Sequence, residues 1–389
     1  MTSNNIKLDN WAELSILLYK NTKNLLKFKG TKSNPASNDN FAIKNASENG
    51  HLDIIKLLLR DDRVNPGADN NYAIKNAIKN GHLEIVKLLL QEKRVDPSAN
   101  NNYVMFSACK NGHLEIVKLL LQDERIIPND NGNCAIGLAI IGNFIDVVKL
   151  LLQDERIDPS DNNNHAFTVA CQYNRTEIVK LLLQYENVDP SIVNNRAIKY
   201  ASFKGHTEMV QILLKDKRVD PSVDDNFAIK NASGMGHVEI VKLLLQDSRV
   251  DPSADFNHSI MTASNNGMVD VVSLLLKDDR VDPSDKENYA VRHACKNGYL
   301  EVANLLLKDK RVLSRGGIDY VLKWSNDESD ENRLQSPLVD DISDDFDLLD
   351  QLLKIMDMTK NNYDDIIKKA ATLKNKELFQ RIMKHISKK

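Results

Sequence analysis

The segment NNYAIKNAIKNGHLEIVKLLLQEKRVDPSAN, residues 70–100, decides the fold, because the chain repeats it on both sides with little drift. The glycine of its Asn-Gly-His step recurs at Gly50, Gly81, Gly112, Gly205, Gly236, Gly267 and Gly298, at 31-residue intervals or multiples of them. Asn143 and Asn174 stand in the two gaps. Prolines keep the same beat from Pro35 through Pro66, Pro97, Pro128, Pro159, Pro190, Pro221 and Pro252 to Pro283. Self-similarity at a fixed period of this length is the signature of a repeat architecture. One unit cannot bury its own apolar face, and stacked units can.

Each unit carries the pattern of two helices. An Asn opens the first in nine units, from Asn40, Asn71 and Asn102 through Asn133, Asn164, Asn195, Asn226 and Asn257 to Asn288. Asn is a preferred N-cap, since its side-chain oxygen accepts from the free N–H groups of a first helical turn, so these residues are expected to cap. The Ala six positions on, Ala46 to Ala294, predicts close approach of a neighbouring helix. The Asn-Gly step ends the helix, and Asn as the substitute for Gly predicts a positive φ there. In the second helix, HLEIVKLLLQ, the residues Leu83, Val86, Leu89 and Leu90 form an apolar stripe at helical spacing. Arg-Val-Asp-Pro-Ser follows, and proline turns the chain. No stretch has a strand signal.

The 389 residues carry a net charge of −3, with 42% apolar, 28% charged and 6% aromatic residues. That balance offers no positive excess for nucleic acid or anionic lipid. Cys109, Cys134, Cys171 and Cys295 show no paired spacing, which argues for a reducing compartment. The first residues lack the order of a signal peptide, and no apolar run is long enough to span a membrane. A cytoplasmic, monomeric protein is expected.

The register extends into both ends. Residues 1–37 are expected to form a degenerate N-terminal cap, with Leu26 and Phe28 where Leu57 and Leu59 stand one period later. Residues 38–315 are nine regular units. Residues 316–360 are a degenerate unit whose tenth start, Tyr320 to Ser325, is on time and whose second helix is delayed by an acidic insertion at 326–345. Residues 361–389 are expected to close the array, giving about twelve units over roughly 100 Å at helix-packing distances.

The Gly-His-Leu-Glu-Ile-Val-Lys-Leu-Leu-Leu stretch at 81–90 resembles the second helix of the ankyrin repeat, and 70–82 aligns without gaps with its first helix and Gly-His turn. Where that family has Thr-Pro-Leu-His, this chain has Tyr72, Ala73, Ile74 and Lys75. Arg-Val-Asp-Pro-Ser replaces the usual turn and hairpin, so an all-α ankyrin-type solenoid without well-formed β-hairpins is expected. The Asn-rich, 31-residue form is similar to ankyrin-repeat proteins of giant DNA viruses that infect amoebae. The resemblance implies a scaffold that binds a protein, for the viral form a host protein, through a concave face lined by first helices. A rival reading is a substrate adaptor that recruits a ubiquitin ligase through a terminal module, at 1–37 or 326–389, although neither end has an F-box pattern.

No phosphate-binding loop, zinc-protease motif or nucleophile elbow is present, so no enzyme, cofactor or metal site is expected. His51, His82, His113, His206 and His237 recur one repeat apart, too far for two to share one zinc, and are expected to hydrogen-bond near the turn. Arg63, Arg94, Arg125, Arg156, Arg218, Arg249, Arg280 and Arg311 recur with an Asp two residues on at Asp96, Asp158, Asp220, Asp251 and Asp282, and are expected to form a row of ion pairs. Cys109, Cys171 and Cys295 share a small-residue column with Ser47, Ser202, Ser233 and Ser264. Asp340, Asp341, Asp344 and Asp345 are expected to be a solvated loop, against a rival reading as a metal site.

Specificity has to lie in columns that vary. One runs Asn45, Asn76, Ser107, Leu138, Val169, Tyr200, Asn231, Thr262, His293; the other runs Glu48, Lys79, Lys110, Ile141, Gln172, Phe203, Gly234, Asn265, Lys296. Both turn apolar in the middle. Phe106, Leu138, Ile141, Val169, Tyr173, Tyr200 and Phe203 are therefore the candidate partner-binding residues, since exposed apolar patches mark interaction sites. The alternative is that the middle units pack these side chains between neighbours.

Overall fold

A computed structural model describes residues 36–129 and 134–316. The expected terminal caps, the acidic insertion and the adaptor and metal readings placed on them lie outside those residues. The chain divides into two compact units, Met1–Asp189 and Pro190–Lys389.

In the first unit the helices are α1 (Ser37–Glu48), α2 (Leu52–Leu58), α3 (Ala68–Lys79), α4 (Leu83–Leu90), α5 (Ala99–Asn111), α6 (Leu114–Leu121), α7 (Cys134–Ile141), α8 (Ile145–Leu152), α9 (Asp161–Gln172) and α10 (Thr176–Leu182). In the second they are α11 (Ile192–Lys204), α12 (Thr207–Leu214), α13 (Val223–Gly234), α14 (Val238–Leu245), α15 (Ala254–Asn265), α16 (Val269–Leu275), α17 (Asp285–Lys296), α18 (Leu300–Leu307) and a short α19 (Lys310–Ser314). There is no strand among the described residues. Within each unit, first helices pack on first helices, second helices on second helices, and each pair packs internally.

The core follows the sequence stripes in part, since Leu83 and Leu90 of the expected second-helix stripe are only half-buried. All nine Ala of the first-helix column, Ala46 to Ala294, are fully buried, because helices that pack this closely leave room for a methyl group and little more. On α4, Ile85, Val86 and Leu89 are buried, while Glu84 and Lys87 face solvent. The turn then buries Val95 and Pro97.

The Asn column does something other than capping. The segments α3, α5, α9, α11, α13, α15 and α17 each open with one turn of left-handed helix, as at Asp69, Asn70 and Asn71 with φ of 55°, 53° and 63°. An i to i−4 bond closes it, from the Asn71 N–H to the Gly67 carbonyl at 3.1 Å. A left-handed turn costs an ordinary L-residue about 1–2 kcal/mol, and Asn and Asp tolerate it best. No side-chain hydrogen bond caps these segments at Gly67, Ser98, Ser160, Ser191, Ser222 or Ser253. The Asn side chain is buried instead, and its Oδ1 accepts a backbone N–H of the next turn, 25 residues on. Asn71 takes that of Asp96 at 3.0 Å, Asn102 that of Ile127 at 3.0 Å, Asn226 that of Asp251 at 2.8 Å and Asn257 that of Asp282 at 2.7 Å. At Asn288 the pattern ends. The position 25 residues on is Leu313, in α19, whose N–H goes to the carbonyl of Asp309 just before that helix, and the buried Asn288 Oδ1 has no partner. The sequence Val312-Leu313-Ser314 lacks the usual proline, so the chain runs on as helix.

The Arg column also differs from expectation. Each Arg pairs with the acid two residues before it: Asp61–Arg63, Glu92–Arg94, Asp123–Arg125, Asp154–Arg156, Asp216–Arg218, Asp247–Arg249, Asp278–Arg280 and Asp309–Arg311, all at 2.6–3.0 Å. The same guanidinium donates to a carbonyl of the preceding turn, as Arg249 does to Val219 at 2.7 Å and Arg280 to Val250 at 2.8 Å. The Asp two residues after the Arg holds the Asp-Pro-Ser bend: Asp251 Oδ1 accepts the Ser253 N–H and hydroxyl at 2.9 and 2.6 Å.

Replacing Asn226 by Ala should lower stability by about 1–3 kcal/mol, the cost of an unpaired N–H plus left-handed strain. Asn226→Gly keeps the backbone freedom and loses only the bond. Guanidinium unfolding of both separates the two contributions, and an unshifted midpoint for Asn226→Gly would show that the bond adds nothing.

The hydrogen bond from Arg249 holds the Asp247 carboxyl below its usual range. A carboxyl depressed in the fold contributes stability that is present above its unfolded value, about 3.9, and lost as pH falls through the folded value. The stability gap between the wild-type protein and Arg249→Gln should therefore be largest at pH 6 and shrink below about pH 4, leaving the part due to the Val219 carbonyl. A gap that stays constant down to pH 3 would rule the ion pair out as its source.

Candidate functional site

Each first helix ends in a turn whose glycine has φ between 71° and 78°, while Asn143 and Asn174 take φ of 59° and 53°. The glycine also makes room. A Cβ at Gly50 would lie 2.7 Å from the His82 ring, and one at Gly112 would lie 2.5 Å from Phe144. The ring that fills this space belongs to the following repeat. His82, His113 and His237 reach back through Nε2 to the carbonyls of Glu48, Lys79 and Phe203 at 3.0, 3.2 and 3.1 Å. Arg175 does the same to Ile141 at 2.6 Å. The histidine column is a repeat-to-repeat tie at the C-terminal end of the first helices.

The small-residue column is interior packing. Burial pushes the Cys109 and Cys295 thiols up to about 12 and raises that of Cys171 as well, so none is a nucleophile near neutral pH. Ser47, Ser202, Ser233 and Ser264 place hydroxyls without partners at the same level. Among the described residues no three His, Cys, Asp or Glu side chains gather as a metal site would require.

The candidate binding residues divide between the two units. In the first, Phe106 on α5 and Leu138 on α7 are half-buried, Ile141 at the end of α7 is 37% exposed and Tyr173, just beyond α9, is 43% exposed. Val169 on α9 is only 7% exposed, which corrects its inclusion. Its column lies against the neighbouring first helices, where Ser107 is also buried and Asn76 and Asn231 bond back to their own helices at Tyr72 and Phe227. The second variable column is the solvent-facing one: Glu48, Lys79, Lys110, Ile141 and Gln172 are all exposed. In the second unit Phe203 on α11 is 36% exposed and Tyr200 half-buried. Lys204 Nζ lies 5.3 and 5.8 Å from their ring centres, and the Tyr200 ring is 6.3 Å from that of His206. The side chain of Met235 is exposed in the next repeat of the same unit.

One recurrent feature went unread in the sequence. The position after seven of the nine Asn holds Phe41, Tyr72, Tyr103, His165, Phe227, His258 and Tyr289, with Cys134 and Arg196 at the other two, and a lysine of the preceding repeat often covers the ring. Lys44 lies 5.6 Å from Tyr72, Lys75 5.5 Å from Tyr103 and Lys199 5.8 Å from Phe227. These contacts contribute about 0.5–1 kcal/mol each at exposed sites. The signal was present as a near-invariant aromatic column, but it fell outside the two columns chosen for their variability.

Residues 16–101, 77–163, 156–225 and 226–316 match the family model described as ankyrin repeats in three copies. A comparison with curated proteins finds no match. The matched segments cover well over half of the chain, and the all-helical pairs, the Gly turn with its His tie and the invariant Ala stripe agree with them: the protein belongs to the ankyrin-repeat family.

Proposed function

We propose that this chain is a non-catalytic scaffold that holds a protein partner through the exposed first-helix positions. The observation that carries the reading is a change of chemistry at one position of the repeat, exposed at Glu48, Lys79, Lys110, Ile141 and Gln172 in the first unit and at Phe203 and Lys296 in the second. Glu48, Lys79, Lys110 and Lys296 are charged there, whereas Ile141 and Phe203 put apolar groups into water, with Tyr173 exposed beside the column. Nothing in the packing requires an apolar residue at an exposed position, and aromatic anchors of this kind dominate binding energetics. Family membership supports protein recognition in general. The 31-residue, Asn-rich form of the repeat supports a viral origin and a host-protein target. A net charge of −3 supports a protein over a nucleic acid as partner, and no described helix is long and apolar enough to cross a membrane. On this reading the chain works as a monomer in the cytoplasm.

Ile141→Ala, Tyr173→Ala and Phe203→Ala, combined in one chain, should weaken partner capture at least tenfold, the order of one hot-spot truncation of about 1.4 kcal/mol or more. Lys79→Ala serves as the control. Quantitative affinity capture from host extract, paired with thermal melts, makes the comparison. If the triple variant melts like the wild-type protein and captures the same proteins equally well, these positions are not the site.

A further inference from the structure

In the second unit the left-handed turns before the first helices form a row that departs from the pattern of the first. The middle residue of the turn is Asn70, Asn101 and Asn163 in the first unit, residues that suit this backbone. In the second unit the same position runs Asn194, Asp225, Phe256, Glu287, and Val193 takes the position before Asn194. Phe256 and Val193 are 62% and 58% exposed. Each holds a bulky side chain at φ of 58° and 53°, where such residues are least at home. Backbone preference favours neither choice. Both put apolar surface in water on a backbone that Asn would adopt more easily.

Charge along the row is just as uneven. Asp224 is held by Lys199 and Asn194, and Asp255 by Lys230 and His258. The Asp225 and Glu287 carboxylates, one repeat to either side of Phe256, are exposed and have no ion pair or hydrogen bond among the described residues. Lys286 Nζ stands 4.6 Å from the centre of the Phe256 ring, so that face already accepts a cation.

We propose that this row, Val193, Asp225, Phe256 and Glu287, docks an extended basic segment of another protein. Neighbouring repeats stack about 8–10 Å apart, and a chain extended as polyproline II rises about 3.1 Å per residue with three residues per turn, so that every third side chain shares a face; one repeat therefore matches three residues. The segment that fits has Arg or Lys about six residues apart, facing Asp225 and Glu287. Midway between them an apolar or guanidinium side chain lies on Phe256, and a second apolar residue, three positions beyond the first cation, reaches Val193. The carboxylates disfavour a phosphate backbone or an acidic peptide. This row lies at the start of the first helices, apart from the Tyr200 and Phe203 positions at their far end, and does not depend on the reading given to those.

Panning a random dodecapeptide library on the full chain tests the proposal. The expected peptides carry two basic residues bracketing an apolar one at this spacing. Their affinity should fall at least tenfold in Asp225→Asn/Glu287→Gln and in Val193→Asn/Phe256→Asn, should weaken between 50 and 300 mM salt, and should be unchanged in Ile141→Ala/Tyr173→Ala/Phe203→Ala. Val193→Asn/Phe256→Asn should at the same time raise the melting temperature by about 2–4 °C, since Asn relieves the left-handed strain; a lower melting temperature would overturn the argument that these residues cost the fold. Recovery of no basic peptides, or of peptides that bind the Asp225 and Glu287 variant as tightly as the wild-type chain, would overturn the proposal, whatever the fate of the first-helix positions.

Discussion

The structure depends on a buried amide oxygen that accepts a backbone N–H from the next repeat. Asn226 cannot reach the Asp251 N–H unless the chain before α13 is wound left-handed, and that winding is what Asp224 and Asp225 supply. The bond fixes the next turn, and the turn in turn sets the start of the next first helix. The other two polar ties run the opposite way. His237 reaches back to Phe203, and Arg249 back to Val219. A single repeat taken alone would leave the Asn oxygen and the His ring nitrogen without partners and the guanidinium with only the acid of its own repeat. A buried polar group left unpaired costs about 1–3 kcal/mol, on the order of what one fully buried aliphatic side chain contributes. Stability is therefore a property of neighbours, as expected for a quasi-one-dimensional array.

This explains which columns were legible. Ala46 to Ala294, the glycines and the histidines answer to sterics that act at one position, and single-residue reasoning found the cause of each. The Asn column answered to two causes that call for the same residue. An N-cap and a left-handed turn both favour Asn, and what separates them is the pair of residues before it. Asp69 and Asn70, Asn100 and Asn101, and Asn162 and Asn163 are of no use to a cap, but they are what a three-residue left-handed turn needs. The Arg partner was ambiguous for a similar reason. Acids stand on both sides of it, and only the folded turn shows that Asp247 faces Arg249 while Asp251 closes the bend on Ser253.

The candidate surface was half legible. Variation between repeats singles out two columns, but it does not say how deeply a column sits. Val169 and Ile141 are both β-branched aliphatics and stand one column apart, yet one is buried and the other exposed. Burial depends on the neighbouring first helix, which a single unit's pattern does not contain.

Variable positions in a repeat protein are of two kinds, and they carry different weight as signs of function. At an exposed position on a regular helix most residues cost the fold little, so Ile141 in place of a lysine is weak evidence taken alone and gains force only together with Tyr173 and Phe203. In the left-handed turn the backbone itself discriminates, and Asn or Asp is the undemanding choice. A Phe at 62% exposure there runs against backbone preference and hydration at once, in an array where the same position elsewhere shows the easier solution. A residue kept against two separate folding preferences points to a contact outside the fold, and for that reason the turn row of the second unit is the stronger signal although it holds fewer apolar atoms.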